Sequence, residues 1–504
     1  MRELKTLYRH TSHYLAGSVF VLLLGFVSFP IFTRLLTVED YGLMSLVIKL
    51  AVLFTVFSKL GLQNSVLRFY EENRSSPDPS VHRRYFSTLF FGAGLAGLLM
   101  AAFFLVGVWG TPHSLITTNV KRLLVFAGAL IFIRTMQSIV SAFLQAEGRA
   151  RAYNALQIAT RISSILIVVA VLYMWKNGAT GFLSATVLVE GVGIIIMSFF
   201  FWRRGLLDIR GFDSQFFRTT VAFGLPLICY EIASVFLDSG DRILVQHYLG
   251  AKDLGYYSAA YNISGYLQQT LMTPINLALY PVYMKLWTNH GKNETQAFLV
   301  KSLDHFVLFA TWIVCVVSIT ARDAIAFLAS QKFQEADRLL PLLVAGLMIY
   351  AVHIFFNAGL LIYKKTLTMA SLVVYACIAN LVLNIILLPR IGMMGAAWAT
   401  LLSFALLIVL IARVSYKLLP LRFDWLASLR YATVAVATGY ACRYISLGRP
   451  FIDLVVKSVL SLILYSTILW LIDRKFRELG RDVIGSLRGS AGPDIAGVPS
   501  IIKE

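Results

Sequence analysis

Fourteen apolar stretches, each long enough to cross a bilayer as a helix, follow one another along this chain with only short polar breaks. Crossing the hydrocarbon core takes about 20 helical residues. Inside that core a segment must satisfy its own backbone N–H and C=O groups, which a helix does. The stretches lie near 14–33, 41–62, 85–109, 121–146, 153–175 and 179–202, and then near 219–240, 254–286, 297–319, 338–361, 368–388, 391–412, 426–446 and 451–472. Of the 504 residues 58% are apolar and 14% charged, against about 25% charged in a soluble domain. The expectation is an all-α integral membrane protein of about 14 transmembrane helices, multi-pass in the cell membrane, with no large soluble domain.

A net charge of +19 would suggest nucleic-acid binding in a soluble chain. No polar basic domain is present, so nucleic acid is excluded as a partner and the charge is assigned to loops. Placing the N-terminus in the cytoplasm puts about 28 Lys/Arg in cytoplasmic segments and about 12 outside, so both termini are expected to be cytoplasmic. The clusters Arg83-Arg84, Arg203-Arg204, Lys364-Lys365 and Arg474-Lys475 then all fall inside. Arg2, Lys5 and Arg9 precede a first stretch too long for a signal-peptide core, so it is expected to stay as helix one. Cys229, Cys315, Cys377 and Cys442 sit far apart in apolar runs, which predicts buried helix cysteines, no disulfide framework and no metal site.

A repeat is visible at a shift of about 213 residues. Arg34-Leu35-Leu36-Thr37-Val38-Glu39-Asp40-Tyr41-Gly42-Leu43-Met44-Ser45 aligns with His247-Tyr248-Leu249-Gly250-Ala251-Lys252-Asp253-Leu254-Gly255-Tyr256-Tyr257-Ser258. Gly178, Gly181 and Ala185 align in the same way with Gly392, Gly395 and Ala399. Both pairs fall at matching points of a six-helix unit. Helices 1–6 and 7–12 are therefore read as two parallel six-helix lobes, with two C-terminal helices added. Parallel repeats of this kind build alternating-access transporters with the substrate site between lobes. The expected division is a 1–13 cytoplasmic segment, a 14–202 N-lobe, a 203–218 cytoplasmic linker, a 219–412 C-lobe, 413–472 with helices 13 and 14, and a 473–504 cytoplasmic tail that is disordered from Gly480. Asp40 is expected to cap the second helix, and Gly42 and Gly255 to let helices approach closely.

The turn Phe32-Thr33-Arg34-Leu35-Leu36-Thr37-Val38-Glu39-Asp40-Tyr41-Gly42-Leu43-Met44-Ser45, with the 12-plus-2 helix plan, resembles the hallmark of the polysaccharide transporter (Wzx-like oligosaccharide flippase) family. That family belongs to the superfamily that also holds multidrug extruders and lipid II flippases. The resemblance implies movement of a polyprenyl-diphosphate-linked glycan from the cytoplasmic to the outer leaflet. Membrane lipids and other polysaccharide-assembly proteins are the further partners it suggests.

Charges at mid-membrane depth face a cavity or a partner because burying them alone is costly. Depth singles out Lys49, Arg134, Arg161, Glu190 and Glu231, with Asp238 and Asp241 higher up and opposed by Arg242. Lys59 and Lys457 lie near an interface and are expected to snorkel. Polar stripes accompany the deep charges at helical spacing. They are Arg134, Gln137, Ser138, Ser141 and Gln145; Asn154, Gln157, Arg161 and Ser164; Glu231, Ser234, Asp238 and Asp241; Ser258, Asn262, Gln269, Thr273 and Asn276; His353 with Asn357; and Asn380 with Asn384. A water-filled cavity would explain them together. Lys49, Arg134 and Arg161 are the candidate contacts to the diphosphate or to anionic sugar groups, since arginine's fork suits phosphate oxygens, and Asn262 and Gln269 are further candidate substrate-binding residues. Glu190, Glu231, Asp238 and Asp241 are the candidates for coupling or gating. Two readings of the arginines stand together, substrate contact and internal pairing with Glu190. Glu231 is open to coupling by H+ or Na+ or to a switching ion pair.

Tyr256, Tyr257, Tyr280 and Tyr283 are read as an interfacial belt, while Tyr261 and Tyr266 are open between belt and sugar stacking. Gly25 and Pro30, Gly224 and Pro226, and Pro274 and Pro281 are read as hinges or kinks, the last two as breaks. No cofactor is called for. An ion-coupled multidrug or cation antiporter is the alternative class, disfavoured by the arginines. A polysaccharide polymerase or ligase is a third, disfavoured because the longest outer connection, near 320–337, is short and no loop carries a catalytic motif.

Overall fold

The computed structural model describes residues 20–76, 78–112 and 117–487, and every regular element among them is helical. Two compact units divide the chain, Met1–Ser258 and Ala259–Glu504. The first holds α1 (Phe20–Leu35), α2 (Val38–Ser58), α3 (Leu62–Arg74), α4 (Pro79–Gly110), α5 (Thr118–Ala146), α6 (Ala150–Trp175), α7 (Gly178–Arg203), α8 (Ser214–Ser239), α9 (Asp241–Leu249) and the first turns of α10 (Ala251–Ala324). The second holds the rest of α10, α11 (Leu340–Ala351), α12 (His353–Ile362), α13 (Thr366–Ile391), α14 (Met393–Leu418), α15 (Trp425–Cys442), α16 (Pro450–Ile472) and α17 (Arg474–Leu487). Eleven helical runs among the described residues are long and apolar enough to cross a membrane. The protein is a multi-pass, all-helical membrane protein.

The aligned segments share local backbone features at two points. α2 opens at Val38 with Asp40 in its first turn, and α10 opens at Ala251 with Asp253 in its first turn. Gly178 and Gly392, at the start of α7 and before α14, share a positive φ of +52° and +61°. Within the first unit the two glycines of the repeated turn touch each other. A Cβ on Gly42 would lie 2.4 Å from the Ala251 carbonyl oxygen, and one on Gly255 would lie 2.1 Å from that of Val38. Val38 and Ala251 are themselves repeat partners. The contact is therefore reciprocal, as it is across a two-fold axis.

Several expectations change. Asp40 does not cap its own helix. Thr37 does, its Oγ1 accepting from the Asp40 N–H at 3.0 Å. The Asp40 carboxylate instead accepts from the Ala179 N–H at 3.2 Å, stabilising the positive end of α7. The two recurring motifs, the turn and Gly178, meet at this carboxylate, whose nearest oxygen would lie 2.5 Å from a Cβ on Gly178. The 41–62 stretch is divided: α2 ends at Ser58 and a separate helix, α3, begins at Leu62 after a turn at Leu60 and Gly61. Pro226, Pro274 and Pro281 lie inside continuous helices; the non-helical residue in α10 is Gly291, with φ +78°. The 320–337 segment is helical too, as π and 3-10 turns at Ile325–Ala329 and Gln331–Arg338. Residues 480–487 belong to α17 rather than to a disordered tail, and the expectations for 488–504 and for 1–13 lie outside the described residues. The four cysteines are free, but only Cys442 is fully buried and Cys229 is exposed.

Candidate functional site

A cavity of about 520 Å³ opens in the first unit, within the range of small-ligand sites. All five residues of the α5 stripe line it: Arg134, Gln137, Ser138, Ser141 and Gln145. A 3.6-residue repeat brings such positions to one helix face. Facing them are Lys59 from the end of α2, Gln63 and Asn64 from α3, Gln157 from α6 and Glu231 from α8. The walls carry amides, hydroxyls and three charges, Lys59, Arg134 and Glu231.

Each deep charge but one has an opposite partner. Arg134 donates through Nε and Nη2 to the two oxygens of Glu190, both at 2.9 Å, near the middle of α5 and α7. Lys49 pairs with Asp238 at 3.0 Å. Lys59 does not snorkel. Its Nζ donates to Glu231 Oε1 at 2.8 Å, and Gln63 Nε2 donates to Oε2 at 3.0 Å. The Ser65 hydroxyl, two residues on from Gln63, donates to the Thr220 carbonyl at 2.7 Å. From Lys49 to Ser65 the partners step backwards from Asp238 to Thr220, so the α2–α3 segment runs antiparallel to α8. Asp241 and Arg242 are almost wholly enclosed as a pair at 3.6 Å, with Tyr257 donating to Asp241.

Arg161 is the exception. Its Nη2 donates to Ser28 Oγ at 3.3 Å, and its Nε is buried without a hydrogen-bond partner. No carboxylate lies within ion-pair distance of it among the described residues. It sits one turn along α6 from Gln157, which lines the cavity.

Other members of the stripes serve packing. Asn380 donates to Ser403 Oγ at 2.9 Å and Asn384 to Asn380, tying α13 to α14 rather than lining a cavity. Asn262 is half-buried and Gln269 exposed in the second unit. Lys457, expected to snorkel, is buried against Asp323 at 2.7 Å. Tyr257 and Tyr283 are buried rather than interfacial, as are Tyr256 and Tyr261, whereas Tyr280 is exposed. Sequence reading missed Lys59 and Gln63 as site residues. The signal available was their spacing of four about Gly61, a residue free to adopt positive φ.

The second unit has its own cavity of about 820 Å³, whose lining includes Lys301, Asp304, Arg422, Lys475 and Glu478. Asp424 caps α15 through the Ala427 N–H and accepts from Lys475 Nζ at 2.7 Å. The hydrogen bond from Lys475 is the main reason the Asp424 carboxyl sits below its ordinary value, and the bond to Asp424 is the main reason Lys475 sits above its own. A lowered carboxyl stabilises the fold above its ordinary 3.8 and loses that contribution as pH falls through the lowered value. A raised lysine stabilises below its ordinary 10.5 and loses that contribution as pH rises through the raised value. The tie therefore persists between those limits. Asp424→Asn at neutral pH is expected to speed tryptic cleavage in α17 severalfold; an unchanged rate would show that other contacts hold that helix.

Three comparisons bear on this arrangement. A family described as "Polysaccharide biosynthesis protein" matches residues 7–287. Among curated proteins, the "Lsg locus putative protein 1" of Haemophilus influenzae is 22% identical over 64% of this chain and 76% of its own length. The "Probable low-salt glycan biosynthesis flippase Agl15" of Haloferax volcanii is 20% identical over 39% of this chain and 41% of its own. Among solved structures, the lipid II flippase MurJ in an inward closed conformation aligns with a TM-score of 0.72 at 15% identity, over 92% of this chain and 99% of that one. An inward-facing multidrug resistance MATE transporter aligns with a TM-score of 0.57 at 14% identity, over 85% and 94%. At such identities the likeness is one of fold.

Proposed function

The chain belongs to the polysaccharide biosynthesis protein family, a family of transporters and not of enzymes, and from that premise we propose that it flips a polyprenyl-diphosphate-linked oligosaccharide across the cytoplasmic membrane by alternating access. The glycan is destined for cell-surface polysaccharide. Fourteen crossings follow if the eleven apolar runs are joined by α1 and α15 and the run through Gly291 counts as two. Both termini are then cytoplasmic by the distribution of Lys and Arg.

One observation carries the substrate reading: Arg161, a cation midway along α6 with no carboxylate partner among the described residues and a buried, unsatisfied Nε. Leaving a charged donor unmet in a membrane interior is costly, and a diphosphate oxygen would satisfy it with a charge-assisted bond. Arg134, held bidentately by Glu190, serves the site as a fixed wall rather than a free cation.

The test is flipping of a lipid-linked oligosaccharide in proteoliposomes by wild type and by Arg161→Ala. We expect the variant to lose at least about tenfold in rate while retaining its thermal stability, since a half-buried cation held only by the Ser28 hydroxyl contributes little to the fold. Undiminished flipping would remove Arg161 from the site. Absence of flipping by the wild type, with ion-driven efflux of drugs, would place the protein with the antiporters instead.

A further inference from the structure

The bond pattern at Glu231 is that of an occupied anion seat. Its two oxygens each take one N–H donor, a charged one from Lys59 at 2.8 Å and a neutral one from Gln63 at 3.0 Å. Those donors converge because the chain between them turns through two left-handed residues, Leu60 at φ +49° and Gly61 at φ +70°. Leucine adopts that conformation only under strain, and such strain persists where the surroundings enforce it. The enforcement is visible: Gly61 is packed so closely on α8 that a Cβ there would lie 2.3 Å from the Gly224 carbonyl oxygen. Glu231 stands two turns further along α8. The backbone thus presses an elbow onto α8 and aims two donors at one point in the wall of the cavity. Gln63 Oε1 is buried there with no partner, an acceptor left over for a ligand's hydroxyl.

We propose that Lys59 and Gln63 form a phosphate seat, and that Glu231 is a built-in plug which the substrate's diphosphate displaces. The proposal rests on the flippase reading above and names the group that regulates its site. A carboxylate and a phosphate present paired anionic oxygens of similar reach, and the phosphate brings more charge and further oxygens to the same donors. While Glu231 is seated Lys59 is neutralised, just as Arg134 is by Glu190, so small anions find no free cation at this point. Displacement also cuts the Lys59 ion pair between the end of α2 and α8, leaving Lys49 with Asp238. Occupancy of the seat and release of the α2–α3 elbow are then the same event. A plug of this kind lowers apparent affinity by the fraction of time it is seated.

The experiment measures binding of geranylgeranyl diphosphate, a short polyprenyl diphosphate, to the full-length protein in detergent micelles. Wild type, Glu231→Gln, Lys59→Met and the double variant Lys59→Met with Glu231→Gln are compared. Glutamine keeps the shape of the side chain and retains polar contact with Gln63, and thermal melting verifies that each variant is folded. Glu231→Gln is expected to bind about tenfold more tightly than wild type, because the seat's competitor has lost its charge. Lys59→Met is expected to bind at least about tenfold more weakly, and the double variant to show no gain from the loss of Glu231. Equal or weaker binding by Glu231→Gln, or a gain that persists without Lys59, overturns the plug. If wild type binds and flips while Glu231→Gln is unchanged, only this inference fails. If wild type neither binds nor flips a diphosphate lipid, the flippase reading fails and takes the plug with it.

Discussion

Valine at position 255 is expected to abolish recovery of folded protein, and alanine there to destabilise it by about 3 kcal/mol or more. A Cβ at Gly255 falls 2.1 Å from the Val38 carbonyl oxygen, and the reciprocal Cβ at Gly42 falls 2.4 Å from the Ala251 oxygen. Both obstacles are backbone, which cannot swing aside as a side chain can. Overpacking costs about 1–3 kcal/mol where side chains and backbone shift to absorb it, and a clash this short with backbone sets the upper end of that range as the floor. Gly107 provides the control. Nothing lies within 4 Å of its Cβ position, and Gly107→Ala should be neutral or stabilising by up to about 1 kcal/mol through helix propensity. Thermal melting and monodispersity of the three variants in detergent decide it. A Gly255→Ala protein as stable as wild type would mean that the reciprocal contact yields.

Removing the Arg134 guanidinium comes next in size. Arg134→Gln leaves the Glu190 carboxylate, with 14% of its side chain exposed, facing no cation. Breaking one side of a buried pair destabilises by about 3–5 kcal/mol, whereas replacing both sides with neutral groups is often tolerated. Arg134→Gln alone should therefore melt far below wild type, and Arg134→Gln with Glu190→Gln should regain most of the loss. The cycle measures the coupling directly. Equal destabilisation in single and double variants would show that the guanidinium acts through other contacts. Flipping retained by the double variant would fit a wall residue, and flipping lost with stability restored would return Arg134 to the substrate.

Much of this was legible along single helices. The spacing of Arg134, Gln137, Ser138, Ser141 and Gln145 shows that one face of α5 is polar, and these five do share a cavity. Reading Asp40 as the cap of its own helix failed because Thr37 competes for the same N–H and wins by position, freeing the carboxylate to reach α7. Depth along a helix marked Lys59 as a snorkelling side chain. Depth alone carries no information about what stands opposite, and here Glu231 does. The polar Asn380 and Asn384 looked like cavity lining for the same reason, since a periodic pattern cannot tell a wet face from one that hydrogen-bonds a neighbouring helix.

Sequence by itself determined the solvent and the helical class, and it marked the recurring glycines. Backbone groups in hydrocarbon must be satisfied within each segment, and the glycines needed for reciprocal close approach recur at a fixed interval. Only the tertiary structure decided which charge meets which: Arg134 with Glu190, Lys49 with Asp238, Lys59 with Glu231, and Arg161 with the Ser28 hydroxyl and no carboxylate among the described residues. Pairing depends on the rotation and height of one helix against another, and those are set by packing between segments far apart in the chain.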